Sequence, residues 1–85
     1  MTAMTIKYNA SVYTQAGWRG VIIKAQAEQI SKGMAQVLEV LEIDGEAPVG
    51  YTSRTGAKRQ KYHAAGVAER EVGAKKRVSA CEVVA

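Results

Sequence analysis

The sequence predicts an α+β fold, in which a small antiparallel meander of three strands is crossed by one helix and closed by a C-terminal strand. Two stretches of alternating apolar and polar residues near the N-terminus predict a hairpin. A connection with the only proline then precedes a long proline-free stretch, which predicts the helix. The expected order is βββαβ, in a single domain of residues 1–85 built around one core.

The first two strands follow from period-two alternation. In IKYNASVY, Ile6, Tyr8 and Val12 fall on one face, whereas Lys7 and Tyr13 fall on the other. The glycine of TQAGW supplies a turn, and RGVIIKAQAEQI continues as a second strand. A half-buried antiparallel hairpin is therefore expected.

The stretch of residues 25–43 allows two interpretations. Ile30, Met34, Val37 and Leu41 fit the spacing of one helix face. The β-branched residues of MAQVLEVLEI favour a strand that returns beside the second one. We favour the strand and keep the helix as the alternative.

Residues that start and stop a helix mark the next element. DGEAPVG predicts the connection that ends the meander. Thr52, Ser53 or Thr55 offers a side-chain oxygen to cap a helix over Ala57–Val72, and Gly73 fits its end. KKRVSACEVV alternates again and predicts the closing strand.

Composition argues against several classes of protein. No apolar run exceeds three residues, and the first twenty residues lack the apolar block of a secretory signal. We therefore expect no membrane partner and a cytoplasmic location. One cysteine and one histidine do not complete a tetrahedral zinc site, and the acidic residues lack the spacing of a calcium loop. Neither a metal nor a cofactor is predicted.

Charge is unevenly distributed along the chain. Residues 1–50 carry four cations against five acidic residues, a net charge of −1, whereas residues 51–85 carry eight against three, a net charge of +5. The C-terminal half is therefore expected to attract polyanions or acidic protein surfaces.

The stretch GYTSRTGAKRQKYH, residues 50–63, raises the question of a phosphate-binding loop. A P-loop requires GxxxxGK[ST], because its backbone amides curl around the phosphates while the lysine reaches them. Here Gly50 and Gly56 are one residue too far apart, and Ala57 stands where lysine is needed. Nucleotide hydrolysis is therefore not expected.

Helical spacing predicts a basic ridge on this stretch. At about 100° per residue, Arg59, His63 and Arg70 face away from Ala64 and Ala68. We predict that the basic face of a helix over residues 54–72 binds an acidic protein surface or a nucleic-acid backbone, a solvated face being the alternative. The predicted partner-binding residues are Arg54, Lys58, Arg59, Tyr62, His63 and Arg70.

Surplus apolar residues predict an interface on the sheet. Ile22, Leu38 and Val40 have the parity opposite to that of Ile23 and Val37. One helix covers only one face of a sheet, so we expect a second copy or a target protein to cover the other. If residues 25–43 formed a helix, the same residues would be buried internally.

The sequence contains no signature of catalysis or of base stacking. No third residue orients a nucleophile pair of Cys81 and His63. Tyr8 and Tyr13 have opposite parity on the first strand and Trp18 stands beside a turn, so the aromatic surface of an RNA-recognition sheet is not expected. We expect a protein that is not an enzyme.

The order of these motifs resembles known small proteins. A β-meander, then YTSRTGAKRQ leading into a cationic helix, then a closing strand resembles the accessory proteins of phages and mobile elements, including anti-CRISPR proteins. GWRG and GYTSR are similar to the tryptophan-bearing strand and the helix start of YegP-like domains, although residues 25–46 depart from that pattern and an internal repeat is lacking. The resemblance implies a stoichiometric binder. We expect a non-enzymatic protein-binding module that inhibits a host nucleoprotein or enzyme, and nucleic-acid binding through the basic face of the 54–72 helix is the alternative.

Overall fold

The computed structural model describes residues 3–14, 17–50 and 62–84. Most of these residues lie in an antiparallel sheet of five strands that is curled into a half-barrel, and the structure adds one short helix. The strands follow the spatial order β4-β3-β2-β1-β5. The elements are β1 Ala3–Thr14, β2 Gly17–Ser31, β3 Met34–Ile43, α1 Ala64–Glu71, β4 Lys75–Arg77, a single-turn 3-10 helix Val78–Ala80, and β5 Glu82–Val84.

The predicted α+β fold and its βββαβ order are wrong, because the described residues form mostly strand, with one short helix, and the expected closing strand is two strands. β4 pairs with the start of β3, whereas β5 pairs with Thr5–Lys7 of β1, at the opposite edge of the sheet. Between them Val78 packs against the core and the 3-10 helix turns the chain. The alternation that predicted one strand therefore belongs to two short edge strands.

This connection requires the sheet to curl. In a flat sheet the two edge strands would lie about 19 Å apart, four spacings of roughly 4.8 Å. The chain from Arg77 to Glu82 includes a 3-10 turn and covers only about 13 Å, because such a helix rises roughly 2 Å per residue. Segment 75–84 consequently bridges the two edges of the curled sheet.

Two bulges in β3 explain the ambiguous spacing of residues 25–43. The pairing runs Ala27 with Val37, Ala25 with Val40 and Ile23 with Ile43, so each step adds one extra residue on β3. The buried residues Val37, Val40 and Ile43 are therefore three apart, as on one face of a helix, although the chain forms a hairpin. The strand interpretation is correct, and bulges also bend the strand and increase the twist that curls the sheet.

The helix begins later than the sequence predicted within the described residues. His63 is its N-cap, and its Nδ1 accepts a hydrogen bond from the backbone N–H of Gly66 at 3.0 Å. The proposed caps and the predicted first turn fall in residues 51–61, which lie outside the described residues. The predicted end is confirmed, because Gly73 follows the C-cap with a φ of +89°.

The core lies on the concave face of the sheet, beneath the helix. Its largest fully buried side chains come from β1, β2 and β3, and α1 adds Ala64 and Val67. Val72, the last residue of the predicted helix, is half exposed because it is the C-cap rather than part of the helix. These largest fully buried side chains are Ile6, Val12, Val21, Ile23, Val37 and Ile43.

One buried carboxylate joins the helix to the sheet. Glu71 accepts a hydrogen bond from the Tyr8 hydroxyl at 2.9 Å and lies 3.6 Å from the Lys76 ammonium. Arg70 also lies 3.6 Å from it, and the Lys76 ammonium sits 4.7 Å from the centroid of the Tyr8 ring. Burial first, and then the bond to Glu71, raise the pKa of Tyr8, so the hydroxyl remains a donor at neutral pH.

In the described ranges, the helices are too short and too polar to cross a lipid bilayer.

Candidate functional site

An exposed aromatic pair stands at the end of the β1–β2 hairpin. Tyr13 and Trp18 are direct register partners on the convex face, with ring centroids 5.3 Å apart and planes at 75°. They are 68% and 72% exposed, so the pair remains accessible although its edge-to-face packing orients both rings. The Thr14 hydroxyl donates to the Gly17 carbonyl at 2.8 Å and closes the hairpin behind them.

A shallow saddle adjoins the aromatic pair. The next register pair on this face is Ser11 with Gly20, followed by Asn9 with Ile22. A Cβ at Gly20 would meet nothing within 4 Å, and Ile22 is 52% exposed. The saddle floor is therefore the Gly20 backbone beside the small Ser11 side chain, flanked by aromatic rings on one side and the Ile22 side chain on the other. We call Ser11, Tyr13, Trp18, Gly20 and Ile22 the hairpin face.

Asp44 fixes the strand beneath the hairpin face. Its Oδ1 accepts from the Ile22 backbone N–H at 2.8 Å, and its Oδ2 lies 3.2 Å from the Arg19 guanidinium. Asp44 has a φ of +51°, a conformation that aspartate tolerates better than most residues. The Arg19 guanidinium also lies 5.6 Å from the centre of the Tyr62 ring. These contacts position Ile22 on a rigid strand rather than on a loop.

A row of two lysines flanked by two glutamates borders the hairpin face. Lys7 and Lys24 are register partners, flanked by Glu82 on β5 and Glu42 on β3. Across the part of the chain that the structure describes, neither ammonium lies within 4 Å of a carboxylate. Clefts of about 190 and 330 Å³ open here, and both are lined by Lys7 and Ile22. The row has no net charge, so it does not strongly attract a polyanion.

The structure separates the residues of the predicted basic ridge. Arg54, Lys58 and Arg59 lie outside the described residues. Tyr62 is buried at 5% exposure, so its predicted outward orientation is wrong. The reason is that the described helix starts at Ala64, so helical spacing does not set the orientation of Tyr62.

The two remaining ridge residues are exposed and engaged in structural contacts. His63 caps the helix through Nδ1. Arg70 donates to the Ser11 carbonyl at 3.3 Å and lies beside Glu71, which ties α1 to β1. A role for either residue in partner binding stays a prediction.

The predicted sheet interface is only partly exposed. Ile22 and Leu38 are 52% and 48% exposed, whereas Val40 is 7% exposed and faces the core. Placing Val40 on the open face was wrong because the bulge at Leu38 shifts the parity of the residues that follow. Leu38 lies opposite the Gln26–Ala27 step, roughly 14 Å along β2 from Ile22, so the two do not form one patch.

The Tyr13–Trp18 pair was not among the predicted residues, although the sequence contains its signal. In YTQAGW a two-residue loop places the flanking residues symmetrically, so Thr14 meets Gly17 and Tyr13 meets Trp18. Parity had already placed Tyr13 on the face opposite to the core. Counting outward from the turn would therefore have found the pair.

The described residues contain no group of three or more His, Cys, Asp or Glu side chains placed to hold a metal ion. The thiol of Cys81 is partly buried and donates to the Arg77 carbonyl at 3.3 Å. Burial raises the pKa of this thiol and the nearby Lys76 charge opposes the rise, so the neutral thiol predominates at physiological pH.

Comparisons with protein-family models, curated proteins and solved structures returned no match for this chain. The resemblance to anti-CRISPR and YegP-like proteins therefore stays a prediction.

Proposed function

We propose that this protein is a non-enzymatic protein-binding module that contacts its partner through the hairpin face. The observation that carries the proposal is the exposed Tyr13–Trp18 pair beside Ile22, three large side chains on one rigid sheet surface. Tryptophan and tyrosine are enriched among residues that dominate binding energy at protein interfaces. An apolar side chain of the partner fits the saddle over Gly20, where a Cβ would find open space.

Electrostatics favours a protein over a nucleic acid at this face. Single-strand binders combine aromatic platforms with a positively charged groove. Here Lys7 and Lys24 are flanked by Glu82 and Glu42, and the two aromatic rings meet at 75° rather than as parallel platforms. The face therefore combines apolar anchors with mixed charge, as protein interfaces do.

The same row argues against a symmetric homodimer centred on it. Its order, Glu82, Lys7, Lys24, Glu42, is the same from either end. A two-fold contact centred on the row would therefore set lysine against lysine and glutamate against glutamate. A different protein is the favoured partner, and a homodimer is an outcome that the test below distinguishes.

We propose that this binding inhibits a host nucleoprotein or enzyme. A stoichiometric inhibitor acts by occupying a surface and needs no catalytic group of its own. Nucleic-acid binding through the basic face of the 54–72 helix is the alternative. Among its six residues, only Tyr62, His63 and Arg70 lie in the described ranges, and Tyr62 is buried.

Site-specific photocrosslinking tests the proposed surface. Benzoylphenylalanine replaces Tyr13 in one variant and Val72, an exposed residue away from the hairpin face, in the control. Both variants are irradiated in cells that produce the protein. A defined protein adduct from position 13 alone supports the proposal. Equal adducts from both positions, or adducts from position 72 only, contradict it, and an adduct with a second copy of this chain identifies a homodimer instead.

A further inference from the structure

A second surface with different chemistry lies on edge strand β4. Its residues alternate, so Lys76 turns inward to Glu71 whereas Lys75 and Arg77 are exposed. β4 pairs with Met34–Gln36 at the start of β3. Two exposed cations therefore stand on the same side of a three-residue edge strand.

Lys32 brings a third cation to this end of the sheet. The Val78 backbone N–H, next to Arg77, donates to the Gly33 carbonyl at 2.9 Å and holds the β2–β3 turn against the end of β4. Lys32 precedes Gly33 and is exposed. We call Lys32, Lys75 and Arg77 the basic strip, and none of them has a carboxylate within 4 Å in residues 3–14, 17–50 and 62–84.

The basic strip is well separated from the hairpin face. Along β1 and β2 the hairpin face lies at the turn that joins these strands, whereas the strip lies at the turn that joins β2 to β3. Fifteen residues of β2, Gly17 to Ser31, lie between the two ends, roughly 45 Å of strand before twist and curl shorten it. A ligand of the strip therefore need not touch Trp18.

We propose that the basic strip contacts the phosphate backbone of a nucleic acid. Its flanking apolar residues, Ala74 and Val78, pack against the core, so β4 offers charge without an apolar anchor. Protein interfaces draw most of their energy from such anchors, whereas backbone binding to a polyanion needs only cations and the release of counterions. The strip therefore suits a phosphodiester chain better than a protein.

The test measures fluorescence anisotropy of labelled nucleic acid at roughly 50 and 200 mM salt. The probes are an oligothymidylate of about 20 nucleotides, longer than the roughly 4–16 covered by one binding fold, and a duplex of equal length. The test variant is Lys75→Gln with Arg77→Gln, and the control is Lys7→Gln with Lys24→Gln. Each double variant removes two cations and lowers the formal net charge of +4 by the same amount. The two variants therefore differ only in where on the surface the charge is removed.

If the basic strip makes three phosphate contacts, the logarithm of the affinity falls with the logarithm of the salt concentration with a slope of roughly −0.7 per contact. Wild-type affinity for the single strand should then fall about 20-fold between these salt concentrations. The Lys75/Arg77 variant should lower the slope by about 1.4, while the Lys7/Lys24 control keeps it. Trp18→Ala should also leave it unchanged, so the strip and the hairpin face are tested separately.

Several outcomes overturn the proposal. Equal loss in the test variant and the control would show that only net charge matters, and absence of binding at low salt would show that the strip has no such function. Ile30, 40% exposed at the same end, offers an apolar contact for lipid, so stronger binding to phosphatidylglycerol vesicles than to either nucleic acid would also overturn it. If the double variant fails to fold, Lys32→Gln against Lys24→Gln repeats the comparison with single changes.

Discussion

Tyr13 and Trp18 face each other directly across the β1–β2 hairpin, with ring centroids 5.3 Å apart. Both side chains are more than two-thirds exposed, and Asp44 holds β2, the strand of Trp18, through the Ile22 backbone N–H. An aromatic pair contributes about 0.5–1.5 kcal/mol beyond its area, so each ring holds the other in place. The pair is thus oriented before a partner arrives, which lowers the entropy cost of binding.

Filling the saddle should separate stability from binding. Gly20→Thr places a β-branched residue in a strand, where a Cβ has open space, and should stabilise the fold by up to about 1 kcal/mol. The added side chain should obstruct the partner. We expect a higher melting temperature together with weaker partner binding. A variant that is more stable and binds normally would show that the partner does not enter the saddle.

Tyr8→Phe should destabilise the protein by about 1–3 kcal/mol, because the buried carboxylate of Glu71 loses its hydroxyl donor. Tyr13→Phe is the matched control, since that residue is exposed. Denaturant unfolding at neutral pH measures both variants. Equal small effects would mean that the Tyr8 hydroxyl does not support the helix.

The same hydroxyl predicts a pH dependence. The pKa of Tyr8 is raised by burial and by Glu71, so the folded state holds this proton more tightly than the unfolded state. The contribution to stability is complete below the unfolded pKa of about 10 and is lost as pH rises above it. Unfolding free energies measured from about pH 9 to 12 should decline more steeply for wild type than for Tyr8→Phe. Parallel curves would contradict the assignment.

Substitution at Val40 and Leu38 tests the bulged register of β3. Val40→Asp buries a carboxylate in the core and should cost about 3 kcal/mol or more, enough to unfold a small domain. Leu38→Asp, two residues away on the exposed bulge, should cost less than about 1 kcal/mol. Circular dichroism and thermal melting distinguish the two. Equal tolerance would mean that the parity of β3 has been placed wrongly.

Periodicity in the sequence predicted the strands whose alternation is not interrupted by a bulge. The alternation around Ile6 and Ile23 predicted the hairpin because neither strand is bulged within it. In β3, bulges gave Val37, Val40 and Ile43 a spacing of three, so periodicity alone could not separate a strand from a helix, and only the β-branched side chains favoured the strand. The split of residues 75–84 depends on the curl of the whole sheet, which no local pattern contains.

The candidate site divides in the same way. The pairing of Tyr13 with Trp18 follows from their equal distance from the turn and can be predicted from the sequence. The burial of Tyr62 depends on where the helix starts. The charge row of Lys7 and Lys24 needs the pairing of four strands before it can be seen. Contacts between distant strands therefore account for most of what the sequence did not predict.

Partner affinity of Trp18→Ala tests the protein-binding claim most directly, with the partner identified by crosslinking from position 13. Isothermal titration compares wild type, Trp18→Ala and the control Val72→Ala, another exposed apolar residue. A central aromatic contact should contribute about 2 kcal/mol or more, so Trp18→Ala should weaken binding at least about 30-fold, whereas Val72→Ala should bind like wild type. Trp18→Ala should stay folded and lose only the roughly 0.5–1.5 kcal/mol of the aromatic pair. An unchanged dissociation constant for a folded Trp18→Ala protein would contradict the account.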